Sequence, residues 1–136
     1  MGSVIAGVPI QVTGSGATTA VGAVTISTPS VTTYTVTVAG GKFYIDGSIT
    51  PTLTLNEGST YRFDQSASSN GTHPLRFSTT ADGTHGGGSA YTTGVTTSGT
   101  AGSSGAYVEI TVASGAPTLY YYCANHSGMG GQANTP

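Results

Sequence analysis

From Val31 onward, apolar and polar residues alternate in short runs that are separated by glycine-rich segments. Alternation of this kind is typical of β-strands with one buried face, and no window has the apolar spacing of a long amphipathic helix. The pattern therefore predicts an all-β chain. The predicted strands are 33–38, 42–45, 52–55, 60–63, 73–78, 107–112 and 118–123, with a further strand near 91–97.

About seven short strands within roughly a hundred residues favour a β-sandwich. The composition agrees, because Val, Thr and Tyr suit pleated strands and the 22 glycines suit turns. Charged residues make up only 6% of the chain and the net charge is -2, so no basic patch is present to hold phosphates. No apolar segment is long enough to span a bilayer. We therefore expect neither nucleic acid nor a membrane as a partner.

Residues 1–30 differ from the rest of the chain, because small residues dominate and large side chains are almost absent. Such a segment buries too little apolar area to offset the entropy lost on ordering. We expect residues 1–30 to form an N-terminal arm that orders on a partner, and residues 31–136 to form the domain. Residues 1–6 have no basic region and no sustained apolar stretch, so we expect no signal peptide.

The chemistry of the chain is concentrated after the last clear strand. Cys123 ends that strand, and His126 and Met129 follow at intervals of three residues. A thiolate, an imidazole and a thioether are thereby presented around one point, and His73 can supply a second imidazole from another strand. Two His, one Cys and a weak axial Met form the ligand set of blue-copper sites, whereas zinc has little use for Met.

These motifs resemble the cupredoxins, particularly pseudoazurin and amicyanin, over roughly residues 31–131. The matching segments are Thr-His-Pro-Leu-Arg-Phe at 72–77 and Tyr-Cys-Ala-Asn-His-Ser-Gly-Met-Gly at 122–130. The resemblance implies a Greek-key β-sandwich of the cupredoxin type and a mononuclear, type 1-like copper site. By the same resemblance, the copper ligands are His73, Cys123, His126 and Met129.

Two features depart from the family pattern. Many small cupredoxins have Asn after the first His, and its backbone N–H bonds to the Cys sulfur; Pro74 has no N–H to donate. Cupredoxins also close with a strand after the Met loop, but only residues 132–136 remain here. We therefore expect the last strand to be missing and its edge to be filled by the arm or by a neighbouring chain.

Each site residue also has a structural interpretation. A lone cysteine at a strand end is usually a small buried hydrophobe, and an isolated histidine such as His73 is usually a loop residue. His85, in a glycine-rich loop, is expected to be solvated. No Ser/His/Asp set or carboxylate pair is evident among five scattered acidic residues, so we do not expect an enzyme. A single type 1 site without further His motifs also argues against a copper oxidase.

Two roles fit a copper-binding module. Residues 12–25 resemble segments of virion proteins of marine cyanophages, and residues 46–55 and 83–88 resemble cupredoxin-like domains of those phages; this resemblance is looser than that of the metal motif. That resemblance implies a multi-copy capsid decoration or tail component that contacts other virion proteins through the arm. The alternative is a soluble blue-copper electron carrier, periplasmic or extracellular, whose redox partner docks near His126.

Overall fold

The computed structural model describes residues 30–136, and these form two mixed β-sheets. The strands are β1 (Val31–Ala39), β2 (Lys42–Ile45), β3 (Ser48–Ile49), β4 (Leu53–Thr54), β5 (Thr60–Asp64), β6 (Leu75–Ser78), β7 (Ala90–Tyr91), β8 (Val95–Ser98), β9 (Tyr107–Thr111), β10 (Leu119–Cys123) and β11 (Gly131–Asn134). Short 3₁₀ turns lie at Ser68–Asn70 and Gly83–Gly86. The arm predicted over 1–30 lies outside the described residues, apart from Ser30.

The first sheet has the order β3-β2-β1-β5-β9-β8, and the second has the order β4-β11-β10-β6-β7. Two pairs are parallel, β1 with β5 and β4 with β11, and the other pairs are antiparallel. Within 30–136 there is no α-helix, and hence no helix of the length and apolarity that a bilayer crossing requires. The all-β sandwich is confirmed, while its Greek-key and cupredoxin character stays a prediction.

The two sheets meet through the alternating apolar side chains of their inner faces. Phe63 of β5 and Phe77 of β6 pack edge to face across the interface, with ring centroids 5.4 Å apart. Burial of each such side chain contributes about 1.5–3 kcal/mol. The core also contains a polar-tipped aromatic, Tyr121, whose hydroxyl donates a 2.7 Å hydrogen bond to the Pro51 carbonyl. Among the described residues, the buried apolar side chains form one cluster that extends to Cys123 at one end of β10.

The expectation that the last strand is missing is wrong. β11 pairs antiparallel with β10 and parallel with β4, so neither the arm nor a second chain is needed at this edge. Residues 132–136 contain no large apolar side chain and gave no apolar pattern. Ala133 alone faces inward and is fully buried, and the backbone ladder with its two neighbours is what forms the strand.

The strand expected near 91–97 is instead two strands in different sheets. β7 pairs with β6, and β8 pairs with β9. A turn at Thr92–Gly94 separates them, and Gly94 has φ +70° with its α-carbon close to the Thr111 carbonyl. A side chain there would meet that backbone, so glycine permits the crossing from one sheet to the other.

Candidate metal centre

The pairing of β6 with β10 brings together residues that are far apart in sequence. Cys123, the last residue of β10, lies opposite Leu75, the first residue of β6. The Ala124 N–H extends the ladder by donating to the Pro74 carbonyl at 3.0 Å. His73 comes one residue before Pro74, and it therefore lies beside Cys123. The antiparallel register thus creates the junction that the sequence motif required.

Three of the four expected ligands meet at this junction. The Cys123 Sγ lies 3.7 Å from Nδ1 of His73 and 3.6 Å from Nδ1 of His126. The potential donor atoms of the three side chains all lie within 4.8 Å of one another. Cys123 is fully buried, His73 is half-buried and His126 is exposed, so the group spans from the core to the surface.

These separations suit a shared metal ion. First-row metals bind imidazole nitrogen at about 2.0–2.1 Å and thiolate sulfur at about 2.3 Å. With these bond lengths, the nitrogen and the sulfur are about 3.6 Å apart when the N–metal–S angle is tetrahedral, and about 3.8 Å apart when it is trigonal. Without a metal, the single thiol proton of Cys123 can be donated to only one of the two nitrogens. The group of His73, Cys123 and His126 can therefore hold a metal ion.

Met129 lies on the same loop but is part of the apolar core. Its side chain is 1% exposed, and its carbonyl accepts a 2.9 Å hydrogen bond from the Phe43 N–H. The thioether is therefore shielded from water, three residues after His126 in the same loop. Its role as a weak axial ligand stays a prediction.

The environment of His73 favours the neutral imidazole. Burial lowers the pKa of His73 below its usual value, and the charge of the neighbouring His126 lowers it further. The two rings are close, with centroids 4.6 Å apart. A neutral ring has a free nitrogen lone pair, which is the form that ligates metals.

A buried polar pair that the sequence analysis missed holds the backbone around His73. The Gln65 amide donates to the His73 carbonyl at 2.8 Å and to Asn70 Oδ1 at 3.0 Å, and its oxygen accepts the Leu75 N–H at 2.8 Å. The Asn70 amide donates in turn to the carbonyls of Val36 and Ala67. Gln65 thus bridges both sides of Pro74.

His85 is exposed, as expected for a loop residue, but it also hydrogen-bonds to the backbone of Cys123. Its Nε2 lies 2.8 Å from the Cys123 carbonyl oxygen, which can only accept, so His85 donates from Nε2. Its ring also packs edge-on against Tyr122. Gly83 packs directly against the ring of Tyr122, which is thereby buried on the outer face of the second sheet. The contact is so close that any side chain at position 83 would overlap the ring. The loop around 79–88 therefore covers the end of β10.

Pro74 leaves the sulfur without the backbone hydrogen bond that the family pattern implies. Within 30–136, the hydrogen-bonding partners of Cys123 Sγ are the two imidazole nitrogens. The next N–H along the chain, that of Leu75, bonds to Gln65 instead. The chain matches no protein-family model and none of the curated proteins, so the interpretation of this junction as a metal centre rests on its residues and its geometry.

Proposed function

We propose that the protein binds one copper ion through His73, Cys123 and His126, with Met129 as a weak axial ligand. The observation that carries this proposal is the placement of two Nδ1 atoms 3.6 and 3.7 Å from one buried sulfur. Copper, when bound, would supply reversible one-electron chemistry. Cys123 would hold the ion at the edge of the core, and His126 would connect it to the surface.

The donor set favours copper over the other common metals. A soft thiolate and two imidazoles exclude magnesium and calcium, which prefer oxygen ligands. Structural zinc sites use four Cys or His ligands, and the described residues bring together only three such groups here. A fourth, thioether ligand from the buried Met129 would suit copper.

Titration of the full-length protein with Cu(II) tests the proposal. We expect one equivalent to bind and to produce an intense visible absorption band, because a thiolate transfers charge to Cu(II). Copper binding only to the folded state should also raise the resistance of the protein to urea by mass action. A protein that stays colourless and takes up no copper would disprove the copper site.

For the biological role, we propose a structural component of a virion, with copper serving stability or a redox purpose. The support is the sequence of residues 12–25, which lies outside the described residues, and a surface with few charges. The chain has only three basic and five acidic residues, and Arg62 and Glu109 neutralise each other through a 2.8 Å ion pair. A surface of this kind suits close packing between subunits.

A soluble electron carrier is the second candidate. The exposed side chain of His126 favours it, because an imidazole that joins a buried centre to the surface gives a short route for an electron. The flanking Asn125 and Ser127 are exposed and uncharged, which suits brief contact with a redox partner.

The oligomeric state in solution separates the two roles. As an assembly protein, the full-length chain should form multimers or bind to a larger particle, and deletion of residues 1–30 should leave a folded, copper-binding monomer. Light scattering after size exclusion measures the mass of both forms, and the copper band reports the fold. A full-length chain that remains a monomer and associates with no particle would exclude the virion role and leave the electron carrier.

A further inference from the structure

Both backbone polar groups of Gly128 are bound by charged side chains from other parts of the chain. The Asp82 Oδ1 accepts the Gly128 N–H at 2.9 Å, and the Lys42 Nζ donates to the Gly128 carbonyl at 2.7 Å. Next to these bonds, the Phe43 N–H donates to the Met129 carbonyl at 2.9 Å. The loop is thus attached on one side to the start of β2 and on the other side to the 3₁₀ turn after Asp82.

The chain has only eight charged side chains, three basic and five acidic, and two of them bind to this one glycine. A hydrogen bond with one ionised partner is roughly twice as strong as a neutral one. Asp82 also adopts φ +62°, a left-handed conformation that Asp tolerates better than most L-residues. From this conformation its carboxylate bonds to a loop 46 residues away. The use of two of the eight charged residues of the chain on one glycine is accounted for if fixing the loop matters.

The loop needs such attachment because it lacks regular structure of its own. Residues 124–128 form bends and turns, residues 129–130 lead into β11 without regular structure, and glycine occupies positions 128 and 130 of this loop. Glycine has the largest conformational freedom of any residue, so the free loop would sample many states. Since His126 lies two residues before Gly128, the two charged contacts restrict where its imidazole can be.

We infer that Asp82 and Lys42 are positioning residues that fix the loop of residues 126–129 before the metal arrives. The inference rests on the proposed copper function, and it adds the residues that prepare the site. A ligand loop held in its bound conformation loses less entropy on binding, so the metal binds more tightly. Residues that orient metal ligands from outside the ligand set typically change metal affinity about 10- to 100-fold when they are replaced.

The chain contains a matched control for Asp82. Asp46 also has a left-handed backbone, with φ +50°, and it also accepts one backbone N–H, that of Thr35 at 2.7 Å. Lys42 begins β2, and Asp46 follows the last residue of that strand. Asp82→Ala and Asp46→Ala therefore remove the same side chain from the same kind of backbone, and only the first releases Gly128. Asp82→Asn is the conservative variant, because asparagine has a side-chain oxygen that can accept the Gly128 N–H and it tolerates the left-handed region.

Two measurements test the inference, one of them without metal. In the metal-free protein, amide hydrogen exchange at Gly128 should be more than about tenfold faster in Asp82→Ala than in wild type or Asp46→Ala. Copper affinity, measured by competition with a chelator, should fall about 10- to 100-fold in Asp82→Ala. Asp82→Asn should recover most of both losses, and Lys42→Met should reproduce them from the other side of the loop.

The outcomes distinguish the inference from the copper proposal. If wild type binds copper and Asp82→Ala matches Asp46→Ala in both measurements, the positioning role is wrong and the copper site stands. If exchange accelerates in Asp82→Ala while its copper affinity equals that of wild type, the loop is fixed for another reason and the inference also fails. If wild type takes up no copper, the proposed function fails, and the positioning role toward a metal fails with it.

Discussion

Replacement of Cys123 by serine is expected to abolish the visible band of the copper-loaded protein and to weaken copper binding at least about 100-fold. The band requires a sulfur bound to Cu(II), and a serine hydroxyl is a poor ligand at neutral pH. Four-ligand zinc sites bind with about 10–16 kcal/mol, or about 2.5–4 kcal/mol per ligand. A loss of that size corresponds to two to three powers of ten in affinity.

The same substitution should affect the metal-free fold only modestly. Cys123 is fully buried, and a serine hydroxyl in its place, on a shorter bond, would need a small movement of the exposed His126 ring to come within hydrogen-bonding distance of its Nδ1. We expect the free energy of unfolding in urea to fall by about 1 kcal/mol. A loss of copper binding without unfolding would then be assigned to the missing ligand.

The third histidine supplies the control for this experiment. His85 lies outside the group of donors that can hold a metal, and its side chain hydrogen-bonds to the Cys123 carbonyl rather than approaching the sulfur. His85→Ala should therefore keep one copper equivalent and the intense band, whereas His73→Ala should lose both. A Cys123→Ser protein that keeps the band, or a His85→Ala protein that loses it, would contradict the assigned ligands.

How far the sequence predicts this molecule depends on which interactions fix each part. The long alternating runs predict β1, β5, β9 and β10, because burial of one face decides those strands. The meeting of Cys123 and His126 was predictable from the spacing of the motif, and that of His73 with them was predictable from the resemblance to the cupredoxins. β11 was missed because backbone pairing with β4 and β10 stabilises it, and the short side chains at 131–134 leave no apolar pattern.

The residues that support the site were the hardest to foresee. Gln65 and Asn70 are polar but only 2% and 0% exposed. Their burial is tolerated because their amide groups are hydrogen-bonded to each other and to the surrounding backbone in the folded chain. Asp82 and Lys42 meet Gly128 from separate elements. Contacts of this kind join single residues at long separations, so no periodicity in the sequence reports them.

Gly130→Ala is expected to have the largest effect on stability, lowering the free energy of unfolding by about 3 kcal/mol or more. A Cβ on residue 130 would overlap the Tyr121 carbonyl oxygen and lie 2.6 Å from its carbon and 3.0 Å from the Tyr122 α-carbon. These atoms belong to the backbone of β10 and cannot move as a flexible side chain can. Relief of the overlap would push β11 away from β10, and with it the loop that carries His126.

Gly105→Ala isolates this steric effect from the general cost of replacing glycine. Gly105 has φ +81°, but a Cβ there would meet no atom within 4 Å, so we expect a cost of only about 1–2 kcal/mol. Urea denaturation of the metal-free proteins measures both values, and a copper titration of the folded fraction should show binding retained in Gly105→Ala and lost in Gly130→Ala. Equal stability of the two variants would mean that β11 does not approach β10 as closely as the backbone at Gly130 requires.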